Sequence, residues 1–200
     1  MSSMTTTADP SPGFADPVHD TQRVFRRLLE AFAHPGRVVV LPPVLAPPPP
    51  LSTGVAALAL TLIDHGTPLW LDPILDIEPV RMFLRFHCGA PIVEAPEGAA
   101  FALVGAPDAV DLGRFAVGEP ECPERSTTVI LQVPGFAYSE RVRLTGPGIA
   151  SQMSLRVDGI AAAFWQQWRR NAELYPCGVD VVFAAPEAIA VLPRTVRVEV

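Results

Sequence analysis

Thr127-Thr128-Val129-Ile130-Leu131-Gln132-Val133 is an unbroken run rich in apolar and β-branched residues, closed on one side by a Pro/Glu/Cys loop and on the other by Pro134-Gly135. A run of this kind, without polar alternation, reads as a strand buried on both faces. Arg141-Val142-Arg143-Leu144-Thr145 follows and does alternate, so it buries one face only, lies nearer an edge, and is expected to pair with the first run as a hairpin. Gly146-Pro147-Gly148 ends the second strand, because proline has no N–H for a ladder and glycine permits a sharp exit. A strand, a glycine turn and a later helix can hold a phosphate. Here neither G-x-x-x-x-G-K-S/T nor G-x-G-x-x-G is present, so the turn reads as structural punctuation.

The segments on either side read as elements that cover this pair. Residues 1–13, rich in Ser, Thr and Pro, are expected to form a disordered tail. Asp16-Pro17 then opens a helix, with Asp as N-cap and Pro at the first helical position. In that helix Val18, Phe25, Leu28, Leu29 and Phe32 form an apolar stripe opposite His19, Arg23, Arg26, Arg27 and Glu30. His34-Pro35-Gly36 stops it, and residues 37–41 form the first strand. Six prolines within residues 42–50 predict a stiff, extended connector. Ser52 caps a second helix, apolar all round and therefore buried, and a third spans residues 78–87 with its exit at Gly89.

Strands are expected at 68–71, 92–93 and 100–104, a short helix at 108–115, and further strands at 179–183, 189–192 and 196–200. A last helix, capped by Asp158 and running to Leu174, carries Ile160, Ala161, Phe164, Trp165, Trp168, Ala172 and Leu174 over nearly half its circumference. That stripe exceeds the ~100° an ordinary core-facing helix needs. The surplus, chiefly Trp165, predicts burial against a loop or against a second copy of the chain. Together the pattern predicts a single α/β domain over residues 14–200, with a mixed sheet and helices on both faces.

Composition excludes several function classes. Two hundred residues, 49% hydrophobic and 18% charged, suffice for a core without disulfides, and the net charge of −6 argues against nucleic acid and anionic membranes as partners. The longest apolar run, residues 55–63, is far short of the ~20 residues a membrane span requires. The first residues lack the basic end and apolar core of a secretory signal, and Cys88, Cys122 and Cys177 form no C-x-x-C pair. A soluble protein of a reducing cytoplasm is the expectation. Every basic residue is arginine, so no side chain can form a Schiff base with pyridoxal phosphate or serve a phosphate loop as its lysine.

The residues predict little catalysis. His19, His34, His65 and His87 show no helical pairing that would hold a metal, and no nucleophile elbow or catalytic cysteine signature is present. Glu119, Glu121 and Glu124 sit between prolines and read as a solvated loop. Arg81 and Arg85, four apart on one helix, with His87 close by, are the candidates for a small anion-binding site.

Taken in order, several segments resemble the PhnH family, the H subunit of the carbon-phosphorus lyase core complex of bacterial phosphonate metabolism. They are Asp16-Pro17-Val18 with Gln22 and Phe25-Arg26-Arg27-Leu28-Leu29; Thr67-Pro68-Leu69-Trp70-Leu71; Leu84-Arg85-Phe86-His87 with Ala90-Pro91; Pro123-Glu124 before Thr128-Val129-Ile130-Leu131; Leu144-Thr145-Gly146 with Gly148-Ile149; Gly178-Val179-Asp180; and Pro193-Arg194-Thr195. The resemblance runs from about Phe14 to Val200. It implies a three-layer α/β/α sandwich similar to pyridoxal-phosphate-dependent transferases, a homodimer when isolated, and other lyase subunits as partners. It also implies a part in moving ribose triphosphate from ATP onto an alkylphosphonate, with no catalytic residue to carry over. The alternative is a stand-alone enzyme or binder of a phosphorylated small molecule that uses the arginines near His87.

Overall fold

In the computed structural model, which describes residues 11–42 and 45–199, β4 (Thr128–Gln132) lies inside a six-stranded sheet, as its two-faced burial requires. Residues 1–10 of the expected tail, Pro43 and Val44 of the proline-rich segment, and Val200 lie outside the described residues. The neighbours of β4, β3 (Phe101–Val104) and β7 (Asp180–Ala185), run parallel to it, with Ile130 between Leu103 and Val182. β2 (Leu69–Leu71) extends the parallel set on one side. On the other side β8 (Ala188–Leu192) pairs antiparallel with β7 and β1 (Val39–Val40) pairs antiparallel with β8, giving the order β1-β8-β7-β4-β3-β2.

Alternate residues of these strands feed two cores. Ile130, Val182 and Val191 pack with the apolar sides of α1 (Pro17–Ala33), α2 (Thr53–Leu62) and α3 (Glu78–Cys88). Val129, Leu131, Val181 and Phe183 pack with α4 (Ala162–Glu173) and with a second sheet. That sheet is three-stranded, with β5 (Val142–Thr145) between β6 (Met153–Leu155) and β9 (Arg197–Glu199). One face of the main sheet is thus covered by three helices, and the other by one helix and a small sheet. No helix of the described residues is long and apolar enough to cross a membrane.

The second sheet corrects the expected hairpin. β5 pairs antiparallel with β6 and β9 and makes no ladder with β4. Its alternation, with Val142 and Leu144 buried and Arg143 exposed, suits a sheet with one face in solvent and not the two-faced interior around β4. The glycine turn that follows serves packing: a Cβ at Gly148, whose φ is +81°, would lie 2.7 Å from the Ala33 carbonyl at the exit of α1.

Helix starts follow local chemistry. Asp16 caps α1 by accepting from the His19 N–H at 3.2 Å, and Ser52 caps α2 by accepting from the Val55 N–H at 3.4 Å. Asp158 does not cap α4, which begins four residues later behind Ala161. Its carboxylate is taken instead by the N–H groups of Ala137, Tyr138 and Ser139, at 3.0, 2.9 and 2.8 Å, and Gly159, at φ +77°, turns the chain out of helical geometry. The expected helix at 108–115 is two short 3-10 turns, Pro107–Ala109 and Leu112–Arg114, and residues 92–93 contribute a single bridge from Ile92 to Leu69.

The apolar stripes of α4 and α1 end differently from one another. Trp165 is 8% exposed, with its ring 5.1 Å from Phe164 and 6.2 Å from Phe183, so the chain's own second core absorbs the surplus on α4. On α1 the core takes the side bearing Asp20, Val24, Leu28 and Ala31. Val18, Phe25 and Leu29 remain 75%, 43% and 51% exposed.

Candidate functional site

Arg81, Arg85 and His87 share α3 but do not converge. Arg81 is turned toward Asp76, whose two carboxylate oxygens it holds through Nε and Nη2, the latter at 2.8 Å. This bidentate bond makes the guanidinium still harder to deprotonate. His87 donates from Nε2 to the Ser11 carbonyl at 2.9 Å, with its ring 4.6 Å from Phe83 and 4.9 Å from Phe86. A Cβ on Gly13 would come within 2.8 Å of its Nδ1, so residues 11–13 lie against this ring and α2. Arg85 is exposed, with no bonded partner among the described residues. The i, i+4 spacing placed the two arginines on one helix face; Asp76 and Ser11 decided where Arg81 and His87 point.

The other reactive side chains are committed or solvated. Cys88 is buried with its Sγ 3.7 Å from the Ala59 carbonyl, and burial pushes its thiol up to about 12, which leaves no thiolate for nucleophilic chemistry. Glu119, Glu121 and Glu124 are exposed around a tight turn closed by Glu119 and Cys122. No group of three or more potential metal ligands occurs among the described residues. At the carboxyl ends of the parallel strands, where open α/β sheets often bind ligands, a cleft is lined by Ser52, Asp108, Gln132 and Pro134. Gln132 is occupied there: it accepts from the Ser52 N–H at 2.8 Å and donates to the Pro50 carbonyl at 3.0 Å.

The glycine turn borders a cavity of about 470 Å³. Thr145, Gly146 and Pro147 form one wall, Ala172 and Tyr175 close it at the end of α4, and Arg194, Thr195 and Arg197 come from the segment that leads from β8 into β9. Arg194 is a structural member. Its backbone N–H and Nε donate to Asp180 Oδ1 at 2.8 and 3.2 Å, Nη1 donates to the Pro123 carbonyl at 2.8 Å, and Nη2 reaches Asp180 Oδ2 and Ser126 Oγ. This one side chain joins the starts of β4 and β7 to the β8 exit. Arg197 is exposed and lies directly across the ladder from Thr145.

Among the described residues the cavity therefore offers one uncommitted guanidinium beside two threonines and a tyrosine. It can receive a small anion, and no carboxylate, histidine or thiol that could act as a general base lines it among the described residues. The segments that build it, Leu144-Thr145-Gly146 and Pro193-Arg194-Thr195, stand out in the sequence; the β5 to β9 pairing that joins them does not.

Comparison with known proteins gives a consistent result. The model of a family described as bacterial phosphonate metabolism protein (PhnH) matches residues 12–199. The chain is 38% identical, over 94% of its length and 95% of the relative's, to the alpha-D-ribose 1-methylphosphonate 5-triphosphate synthase subunit PhnH of Rhizobium meliloti (strain 1021). It is 33% identical, over 88% of its length and 85% of the relative's, to HtxG of Stutzerimonas stutzeri, whose name carries the words C-P lyase subunit.

Proposed function

The chain belongs to the PhnH family of bacterial phosphonate metabolism proteins, and from that premise we propose that it is a subunit of the carbon-phosphorus lyase system, required when ribose triphosphate is moved from ATP onto an alkylphosphonate to give α-D-ribose 1-methylphosphonate 5-triphosphate. The observation that carries this reading is family membership over nearly the whole chain, with both relatives named as subunits. The residues agree with a role in an assembly. Arg81, His87 and Arg194 are bound within the fold, Cys88 is buried with its thiol protonated, and a chain without lysine has no side-chain amine to hold pyridoxal phosphate as an imine. The subunit works in the cytoplasm, is homodimeric when isolated, and has the three-layer arrangement of pyridoxal-phosphate-dependent transferases without their cofactor chemistry. Deleting its gene is expected to prevent growth on methylphosphonate while leaving growth on phosphate intact; unimpaired growth on both would refute the reading.

The cavity at Arg197 favours a second reading, a binder of a phosphorylated small molecule. That reading moves the anion site away from Arg85 and His87. Calorimetric titration of the isolated chain with ATP and with methylphosphonate tests it: heat that disappears in Arg197→Ala supports a binder, and no heat with either ligand removes it.

A further inference from the structure

The six-stranded sheet ends differently at its two edges. At β2 the edge is closed: Leu69 donates its N–H to the Pro91 carbonyl at 2.9 Å and accepts from the Val93 N–H at 2.8 Å, so the chain runs alongside its own strand. At β1 no such segment lies alongside among the described residues. Val39 is opposite Ile189 and Val40 opposite Ala188, while the Leu41 N–H donates to the Glu187 carbonyl at 2.9 Å. Antiparallel alternation then gives Val39 and Leu41 the inward bonds and turns the N–H and C=O groups of Val38 and Val40 away from the sheet. The side chains of these two valines are 42% and 68% exposed. A bare edge with β-branched residues is a template for another strand.

The surroundings of this edge select the strand. Arg23, Arg26, Arg27 and Glu30 of α1 line a groove of about 450 Å³ with Val40, Leu41 and Pro42. Arg37 stands beside it, 3.6 Å from Glu30. Four arginines thus meet the two carboxylates of α1: Arg23 is bound to Asp20, Arg27 lies 3.0 Å from Glu30, and Arg26 has no acidic partner among the described residues. The groove is positive on a chain whose net charge is −6. Pairing β1 with β1 of a second copy would bring two such arginine clusters to one seam and add like charges. A foreign strand carrying carboxylates would instead meet its hydrogen-bonding edge and its countercharge together.

We infer that the β1 edge and the arginine groove of α1 form the docking surface for an extended, acidic segment of another subunit, which adds to the sheet as a strand with its carboxylates under Arg26. This rests on the subunit reading above. Val40→Pro tests the edge, because it removes an outward N–H and leaves the bonds to β8 in place. Arg26→Glu tests the charge at an exposed position outside the core. The tagged chain is co-expressed with the other carbon-phosphorus lyase subunits and purified, and the retained subunits are weighed by native mass spectrometry.

The wild type is expected to retain them, with losses at about 0.5 M NaCl. Each variant is expected to retain roughly tenfold less, a difference of about 1.4 kcal/mol, at an unchanged melting temperature of the isolated chain. Equal retention by wild type and both variants overturns the docking surface and leaves the subunit reading standing. Retention by none, the wild type included, overturns both. If Val40→Pro instead turns a dimer into a monomer and releases no subunit, the edge pairs two copies and the acidic-strand proposal falls.

Discussion

The two faces of the main sheet handle surplus apolar surface in opposite ways. α4 carries an apolar stripe too wide for one contact, yet Phe164, Trp165 and Trp168 are all buried, because the small sheet and the 3-10 turns close around the helix. α1 carries an apolar stripe too, but Val18, Phe25 and Leu29 stay in solvent; the main contacts of α1 among the described residues are with the sheet and α2. An excess of apolar residues therefore does not by itself mark a partner surface. The connecting segments decide whether the chain can cover it.

The contrast is sharpest in stability. Trp168 is fully buried and its Nε1–H donates to the Val196 carbonyl at 3.0 Å, so Trp168→Ala is expected to cost about 3–5 kcal/mol and to lower the denaturation midpoint severely. Arg194→Met breaks the side-chain bonds to Asp180, Ser126 and the Pro123 carbonyl and leaves the Asp180 carboxylate only the backbone N–H of residue 194, at about 3 kcal/mol in the same measurement. Polar replacement on the other face is far cheaper: Phe25→Ser with Leu29→Ser should change the stability of the isolated chain by less than about 1 kcal/mol. A loss as large as that of Trp168→Ala would mean that α1 needs these side chains for its own packing.

A smaller effect distinguishes the faces by pH. The N–H groups of Ala137, and with them Ser139 and Tyr138, hold Asp158 down to about 2, against an ordinary value of 3.8. A depressed folded-state value means that its stabilisation is fully present above about pH 4 and is lost as pH falls through about 2. Asp158→Asn should cost about 2 kcal/mol at neutral pH and remove part of the acid sensitivity between pH 4 and 2. Equal acid slopes in wild type and variant would show that the clamp on the loop 137–139 does not matter to the second core. The smallest effect is spectroscopic: Trp165 fluorescence should resist iodide whatever the oligomeric state, because the chain itself covers the ring.

These cases also indicate how far the sequence could be read. The central position of β4 was legible because both faces of a buried strand must be apolar, and the cap of α1 because Asp16-Pro17 leaves little else for its N–H groups to meet. Alternation told that β5 keeps one face in solvent, but the sheet it joins depends on β6 and β9, which periodicity does not connect. The spacing of Arg81 and Arg85 placed them on a helix, while the hold of Asp76 on Arg81 and of Ser11 on His87 depends on how the chain approaches α3 from outside it. The family resemblance reached function where residue chemistry alone did not, since the sequence carries no catalytic motif to read.

Growth on methylphosphonate as the sole phosphorus source tests the central claim most directly. A strain lacking this gene should fail to grow there, grow normally on phosphate, and recover with the wild-type chain but poorly with one carrying Val40→Pro and Arg26→Glu. Normal growth of the deletion strain on methylphosphonate would contradict the account.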